Sequence, residues 1–406
     1  MNDGFFSAVE IADMAPKTVR GRVFSCRDCK LDQECKTPRM KCGGKGRKGI
    51  MVIGDAPGEN EDEKGSQFVG RAGKEVEWYL SKLGISFYED CWTENACCCR
   101  PVKNDTPTAT QILACRERLF KSIRTKQPKV IILLGKSAVD SVIGKYWGSD
   151  IGPVGRWRGF RIPCHDLTAW LCPTFHPSYI LREKNQESAA PIIFGQDLRS
   201  SLSCLENPLP EPPSEKHIQP LDDFHAIRHM RQLLEAPPRL LAFDYETTGL
   251  KPHAKGHEIV CCSLCSDPHK AVTFWMENEM VQKTLCRVLE SDIPKVASNL
   301  KYEDQWSRHI LGVHPRNWKF DTMLAAHVQD NRQLITSIKF QGYVRLGVAG
   351  YENRVKPYLE TGSKNANSIN RLKEVRGWKD VLVYCGMDSL LEYRVASMQM
   401  KELGIE

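Results

Sequence analysis

The chain has 406 residues, 57 Lys and Arg against 50 Asp and Glu, and 17 cysteines. That length suits two domains, each able to bury its own core. No run of about 18 apolar residues occurs, which argues against a membrane-spanning helix, and Met1 to Arg20 lacks the apolar stretch of a secretion signal. The cytoplasm of a bacterium, or of a phage-infected host, is therefore the expected compartment. A disulfide framework is not expected in that reducing setting, where clustered cysteines read better as metal or cluster ligands. The net charge of +7 lies entirely in residues 1–205, while residues 206–406 sum to zero. An excess of that size fits a polyanionic partner, and equally well ordinary solubility.

In chain order, Ile50 to Ile53 reads as a buried strand ending in a glycine-rich turn. Glu75 to Leu83 has a helical pattern. Pro128 to Gly135 is a second buried strand running into a helix, Lys136 to Ile143, and Trp170 to Thr174 is another strand. Continuous apolar strands separated by helices predict a parallel α/β sheet, with ligands beyond the carboxyl ends of its strands. Residues 206–220 hold the prolines Pro208, Pro210, Pro212, Pro213 and Pro220. Such a stretch favours an extended linker, so the expected division is 1–205, linker 206–220 and 221–406. The second part opens with a helix, Phe224 to Leu234, followed by strands at 240–245, 259–265 and 271–275 in hairpin-like succession. A helix near 281–289, a strand near 295–297 and a mainly helical remainder complete an α/β sandwich with an antiparallel-leaning sheet. Residues 333–370 are poorly periodic and read as loop-rich.

The first constellation begins at Gly54-Asp55-Ala56-Pro57-Gly58-Glu59-Asn60-Glu61-Asp62. This loop follows a buried strand and sets backbone N–H groups and carboxylates at the mouth of the sheet. Phe68 offers a stacking face, Asn95 an amide able to pair with a base edge, and His176 stands on a turn fixed by Pro177. Breaking a base–sugar bond requires an extruded base held by stacking and edge hydrogen bonds, a stabilised leaving anion and a stabilised sugar cation. These residues supply one group for each task. The plainer alternative is a generic nucleotide loop, with Phe68 in the core and His176 capping a helix. In order, however, the segments resemble the family 4 uracil-DNA glycosylases over residues 24–200, through the acidic loop, Phe68-Val-Gly-Arg-Ala-Gly73, Asn95, Cys99-Arg100-Pro101, Asn104, the strand at 128–135 and His176-Pro-Ser-Tyr179. The resemblance implies that Phe68 stacks on uracil, that Asn95 reads its edge, and that Ala56 and Asn104 also contact uracil or DNA. It implies that His176 stabilises the leaving base, and that Asp55 and Glu61 of the acidic loop assist the water or the sugar cation. Asp55 stands where the family usually has glutamate, one methylene longer. The family's arginine after Asn104 is also missing, with Lys103 a candidate substitute.

Cys26 and Cys29 form a CxxC pair, joined by Cys99 and, sixteen residues on, Cys115. Thiolates are the usual ligands of a [4Fe–4S] cluster, and these positions match the family's cluster ligands. A local zinc site from Cys26, Cys29, Cys35 and Cys42 is the rival.

The second constellation is Asp244-x-Glu246 on a strand, Glu303-Asp304 at a helix start, and Tyr384-x-x-x-Asp388 on a helix. Alternation along a strand puts Asp244 and Glu246 on one face, and a four-residue helical spacing stacks Tyr384 over Asp388. Converging carboxylates repel unless cations lie between them, and two Mg²⁺ or Mn²⁺ ions in such a cage suit phosphodiester hydrolysis. The plainer alternative is three unrelated solvated sets. The ordered triple resembles the tyrosine-type DEDD proofreading exonucleases of bacterial family A polymerases over residues 222–404. Glu303 replaces the family's middle aspartate, with Asp304 as the alternative ligand. Asp321 reads as supporting.

Together these readings predict a bifunctional DNA-maintenance enzyme. A parallel-sheet α/β/α glycosylase-like domain with an iron–sulfur cluster precedes a ribonuclease-H-like α/β exonuclease domain. DNA is the expected partner, and any linked DNA polymerase is expected from another chain. The rival from another class is a DNA-binding accessory protein with one or both sites inactive.

Overall fold

The computed structural model describes residues 24–405 except 185, 362, 364 and 376, so the opening segment Met1–Arg20 lies outside the described residues. The chain divides into two compact units, Met1–Pro210 and Glu211–Glu406.

The first unit is built on β1 (Ile50–Gly54), β2 (Cys91–Asn95), β3 (Val130–Leu134), β4 (Ile162–Cys164) and β5 (Ala169–Thr174), in the order β2-β1-β3-β5-β4. The first four strands of that order run parallel, and β4 closes the edge antiparallel to β5. Every residue of β1 and β3 is buried, as strands covered on both faces must be. The helix Ala109–Lys126 starts on a reciprocal cap: Thr108 Oγ1 accepts from Gln111 N, and Gln111 Oε1 accepts from Thr108 N at 2.8 Å. The order reverses direction between β1 and β3. That switch point is where an open parallel sheet leaves a crevice at its carboxyl rim.

The second unit has a six-stranded sheet, ordered β11-β10-β7-β8-β9-β6. Its strands are β6 (Ile218–Pro220), β7 (Leu241–Thr247), β8 (Ile259–Asp267), β9 (Lys270–Trp275), β10 (Lys295–Ala297) and β11 (Trp318–Asp321). The hairpins β7–β8 and β8–β9 are antiparallel, but the three outer pairings are parallel. The expected antiparallel bias therefore holds only for the centre. Residues 218–220 are an edge strand instead of linker, since Pro220 at a strand end forfeits no ladder bond. The segment 333–370 contains the helix Ile338–Leu346. The 25-residue helix Lys379–Leu403 packs across the sheet. A Cβ on its Gly386 would lie 2.4 Å from Ile218 Cγ2 and 2.7 Å from Thr273 Cγ2. The missing side chain lets the helix settle close to β6 and β9.

Candidate active sites

Four strand ends of the first unit meet at one rim. Asp55 follows β1, Asn95 ends β2, Gly135 follows β3, and His176 comes two residues after β5. Asp55 Oδ1 accepts from the backbone N–H of Ser137 at 2.8 Å and of Ala138 at 3.3 Å, at the start of the helix Lys136–Val142. Two donors and a helix N-terminus hold this carboxylate in place. Gly135 has φ +92°, and a Cβ there would stand 2.9 Å from His176 Cβ and 3.0 Å from Asp55 Oδ2. Only glycine lets the two side chains approach each other over this turn. At Gly54 a Cβ would meet Asn95 Oδ1 at 2.6 Å and Phe68 Cζ at 3.0 Å. Gly135 thus brings Asp55 beside His176, and Gly54 brings Asn95 beside Phe68, at the same rim of the sheet.

His176 is the N-cap of the helix Pro177–Glu183, and its Nδ1 accepts from Ser178 N at 3.2 Å. Burial pulls its pKa below the ordinary value of 6.5, with Asp55 opposing and Arg182 reinforcing. The neutral ring therefore carries its proton on Nε2. The plain capping alternative is half right, because the cap itself selects the tautomer. Phe68 is buried against Phe87, ring centroids 5.6 Å apart and perpendicular. Its φ of +58° is rare for a bulky residue, and Tyr88 Oη donates to its carbonyl at 2.9 Å.

Gln67 was not singled out by sequence. Its Nε2 donates to Lys41 O at 2.8 Å and its Oε1 accepts from Asn95 Nδ2 at 2.9 Å. Those bonds fix which way the Asn95 amide faces. Arg118 is a second unforeseen support: it reaches both Glu94 carboxylate oxygens and donates to Asn95 O at 2.9 Å. Glu61 and Asp62 are committed to backbone. Glu61 accepts from Gly58 N at 3.1 Å and Gly70 N at 2.6 Å, so it shapes the loop. Asp62 accepts from Lys36 N at 3.0 Å and Thr37 N at 2.7 Å. Ala56 packs beside the cysteine cluster. Asn104 sits on an exposed turn and touches the rest through Arg100, which donates to Asn104 Oδ1 at 2.7 Å and to Glu59 Oε1 at 3.2 Å.

Cys26 and Cys29 lie on one short helical turn that packs on the helix carrying Cys115. Burial pushes the Cys29 thiol up to about 11, and Cys115, Cys99 and Cys26 add to the rise. Cys99 Sγ accepts from Arg39 N at 3.2 Å. Cys115 is pulled down by thiol hydrogen bonds from Cys97 and Cys98, the latter 3.7 Å away. Cys42 belongs to a different neighbourhood: after burial, its shift is set by Glu94, Ser122 and Lys126. Cys29 thus feels the charges of the other three thiols of the cluster reading, while Cys42 of the rival zinc set faces other groups.

In the second unit the carboxylate sets converge. Asp244 and Glu246 project from β7, and their oxygens lie with Cys385 Sγ within 4.8 Å of one another. Glu303 is buried at the start of the helix Lys301–Trp306, and one of its oxygens, Oε2, has no hydrogen-bond partner. Asp304 turns outward to Arg308 at 2.7 Å. Asp388 and Tyr384 lie one turn apart on the helix Lys379–Leu403, both buried. Burial raises Asp244, Glu246, Glu303 and Asp388 above the usual carboxylate range, and mutual repulsion among the acidic groups adds to the rise for the first three. Such donors fit divalent cations. The same helix adds Glu392 one turn on, 1 % exposed, accepting from Ser298 N at 3.1 Å while its Oε2 stays unpartnered. Lys339 Nζ donates to Tyr384 Oη at 3.0 Å, and Tyr351 Oη bonds to Asp388. Asp321 accepts from four backbone N–H groups, of Asn299, Leu300, Met323 and Leu324, which fits a supporting role.

Residues 42–195 match the uracil DNA glycosylase superfamily, and residues 220–403 match a 3′–5′ exonuclease family. The type-4 uracil-DNA glycosylase of Saccharolobus solfataricus is 34% identical over 166 residues, 40% of this chain and 76% of that protein. That of Thermotoga maritima is 35% identical over 162 residues, 39% of this chain and 78% of its own length. A DNA polymerase of Bacillus phage SP01 is 22% identical over 393 residues, 88% of this chain but 40% of the polymerase. Among solved structures, Brucella melitensis NrnC matches at 17% identity and a TM-score of 0.33, covering 47% of this chain and 83% of NrnC. The chain belongs to the type-4 uracil-DNA glycosylases, with a 3′–5′ exonuclease domain fused to the glycosylase domain. It is a bifunctional hydrolase of DNA, and the accessory-protein reading is not favoured.

Gln67→Ala should unlock the Asn95 amide while leaving the core intact. Uracil release under single-turnover conditions is expected to fall about five- to ten-fold, the scale of one hydrogen bond of ~1 kcal/mol. An unchanged rate would show that Gln67 does not position Asn95.

Proposed function

We propose that uracil is excised in the crevice between Gly54 and Gly135. Phe68 stacks on the flipped base, and Asn95, aligned by Gln67, pairs with its edge. Ala56 lines the entrance, and Asn104 with Arg100 meets the DNA strand beside it. His176 donates from Nε2 to the uracil oxygen that gathers charge as the glycosidic bond breaks. Asp55, anchored through Oδ1, keeps Oδ2 for the attacking water or the sugar cation. Its shorter side chain is offset by this rigid hold. Glu61 assists by fixing the loop. The observation that carries the reading is the Ser178 N–His176 Nδ1 bond at 3.2 Å, which leaves Nε2 of the neutral ring as the donor.

Cys26, Cys29, Cys99 and Cys115 are proposed to hold a [4Fe–4S] cluster, supported by their proximity and by the family. The cluster would fasten the N-terminal segment to the strand-end loop after Asn95. Asp244, Glu246, Glu303 and Asp388 are proposed to hold two Mg²⁺ or Mn²⁺ ions, which when bound activate water and stabilise the departing 3′ oxygen. Tyr384 orients the attacking water, and Lys339 fixes the direction of the Tyr384 hydroxyl. The functional division is proposed to fall in the Pro-rich stretch after residue 205, with β6 belonging to the exonuclease part. Cysteines serving as cluster ligands suit a reducing, cytoplasmic setting. No described helix is long and apolar enough to cross a membrane. The likeness of nearly the whole chain to part of a phage DNA polymerase supports work alongside polymerase activity, at DNA ends holding uracil or a mismatch.

Intact protein should release free uracil from DNA in EDTA, and His176→Ala should slow this by ~10²-fold, the scale of one lost anion-stabilising donor. Because burial depresses the His176 pKa, the ring stays neutral as pH falls to 6.5. The acid limb of the rate profile should therefore lie below that pH and disappear in His176→Ala. No uracil release from iron-loaded protein would defeat the reading. Iron analysis after anaerobic purification should give about four irons per chain, against zinc alone for the rival site. Asp244→Ala and Glu303→Ala should each abolish Mg²⁺-dependent 3′-end digestion and spare uracil release. Asp304→Ala should keep digestion within about three-fold, the ~0–1 kcal/mol of an exposed ion pair.

A further inference from the structure

We propose that Glu211, His217 and His269 form a separate metal site for a zinc-class divalent ion at the N-terminal edge of the exonuclease unit. One ligand atom from each lies within 4.8 Å of the others. Glu211 Oε1 is 3.7 Å from His217 Nε2, and Glu211 Oε2 is 3.6 Å from His269 Nδ1. These separations are too long for hydrogen bonds. They are close to the roughly 3.3 Å between neighbouring ligand atoms of a tetrahedral ion with bonds of about 2.0–2.1 Å. Two imidazoles and one carboxylate favour zinc over magnesium or calcium, which prefer all-oxygen shells. Three protein ligands also leave a position for water.

The three segments that bring these side chains together are fixed by the fold. Glu211 opens the unit, His217 ends the turn that feeds β6, and His269 lies in the turn between β8 and β9. Arg394, buried on the helix Lys379–Leu403, donates from Nη1 to Glu211 O at 2.9 Å and from Nε to Pro268 O at 2.5 Å. One guanidinium thus pins the backbone at Glu211 and beside His269. His217 Nδ1 accepts from Ser214 N at 3.0 Å and lies 3.2 Å from the carbonyl of Ser214. Ion binding at Nε2 would move the ring proton to Nδ1, where that carbonyl can accept it, the arrangement usual for a ligating histidine. The side chains of Glu211 and His269 are 63% and 64% exposed, so the site is open to solvent. A bound ion would clip the chain entering the unit, and the three-residue edge strand β6, to the β8–β9 turn.

The test uses the full chain with its iron retained, in excess Mg²⁺ so that zinc does not compete for the carboxylate cage. Zinc retained after dialysis is measured for wild type, His269→Ala and Glu211→Gln, with Mg²⁺-dependent 3′-end digestion as the check that each variant is folded. Wild type should hold one more zinc per chain than either variant, with at least ten-fold tighter binding. Zinc should also slow proteolytic cleavage within residues 206–217 in wild type alone. Equal zinc uptake and equal cleavage in all three proteins would overturn the proposal.

Discussion

Buried negative charge that lacks enough internal cations is the constraint around which both units are organised. In the second unit Asp244, Glu246, Glu303, Asp388 and Glu392 share one interior region, with Lys339 as a nearby cation. Stranding charges there costs several kcal/mol per ion unless they are neutralised or paired. Protons can relieve the strain, but metal ions do so while leaving the carboxylates as ligands. The surrounding hydrogen bonds place these groups without quenching them. Asp321 holds the N–H groups of Asn299 and Leu300, and Glu392 holds that of Ser298, so the turn carrying Glu303 is fixed by backbone contacts. Oε2 of Glu303 and Oε2 of Glu392 remain unbonded.

The first unit meets the same constraint with sulfur, and there it is tied to base recognition. Cys99 is four residues past Asn95. Cys115 shares a helix with Arg118, which grips the Asn95 carbonyl and the Glu94 carboxylate. The end of β2 is therefore held from two directions by segments that also carry cluster cysteines. A centre bound at those cysteines would lend rigidity to Asn95.

How legible this was in the sequence varied with how local the signal was. Motif order singled out Asp55, Phe68, Asn95 and His176, which the fold gathers at one rim, and parallel strands were legible because Val130–Leu134 is apolar throughout. The choice of Glu303 over Asp304 agrees with the geometry, since neighbours on a helix point in different directions and only one can face β7. Strand direction at the sheet edges was not legible, because parallel and antiparallel strands share the same alternation. Strands β6 and β11 are too short, and too rich in proline and charge, to stand out. The helix Ile338–Leu346 escaped because it is buried on nearly all sides. All-round burial erases the amphipathic stripe by which a helix is found, and Lys339 was hidden with it. Glu392 was visible in principle at the same four-residue spacing that revealed Asp388. Gln67 and Gly135 carry no pattern of their own and become meaningful only beside Asn95 and His176.

The short helix Glu59–Lys64 has consecutive residues with separate duties. Glu61 holds Gly58 and Gly70, and Asp62 holds Lys36 and Thr37. A helix advances by about 100° per residue, so both grips depend on the same phase. Inserting or deleting one residue before Glu61 would rotate both carboxylates off their partners, freeing the base-binding loop and the cysteine-bearing segment together. Substitutions elsewhere in this helix are tolerable one at a time, whereas its length is not free to drift. Descendants of this chain should vary in the letters of that stretch far more readily than in their number.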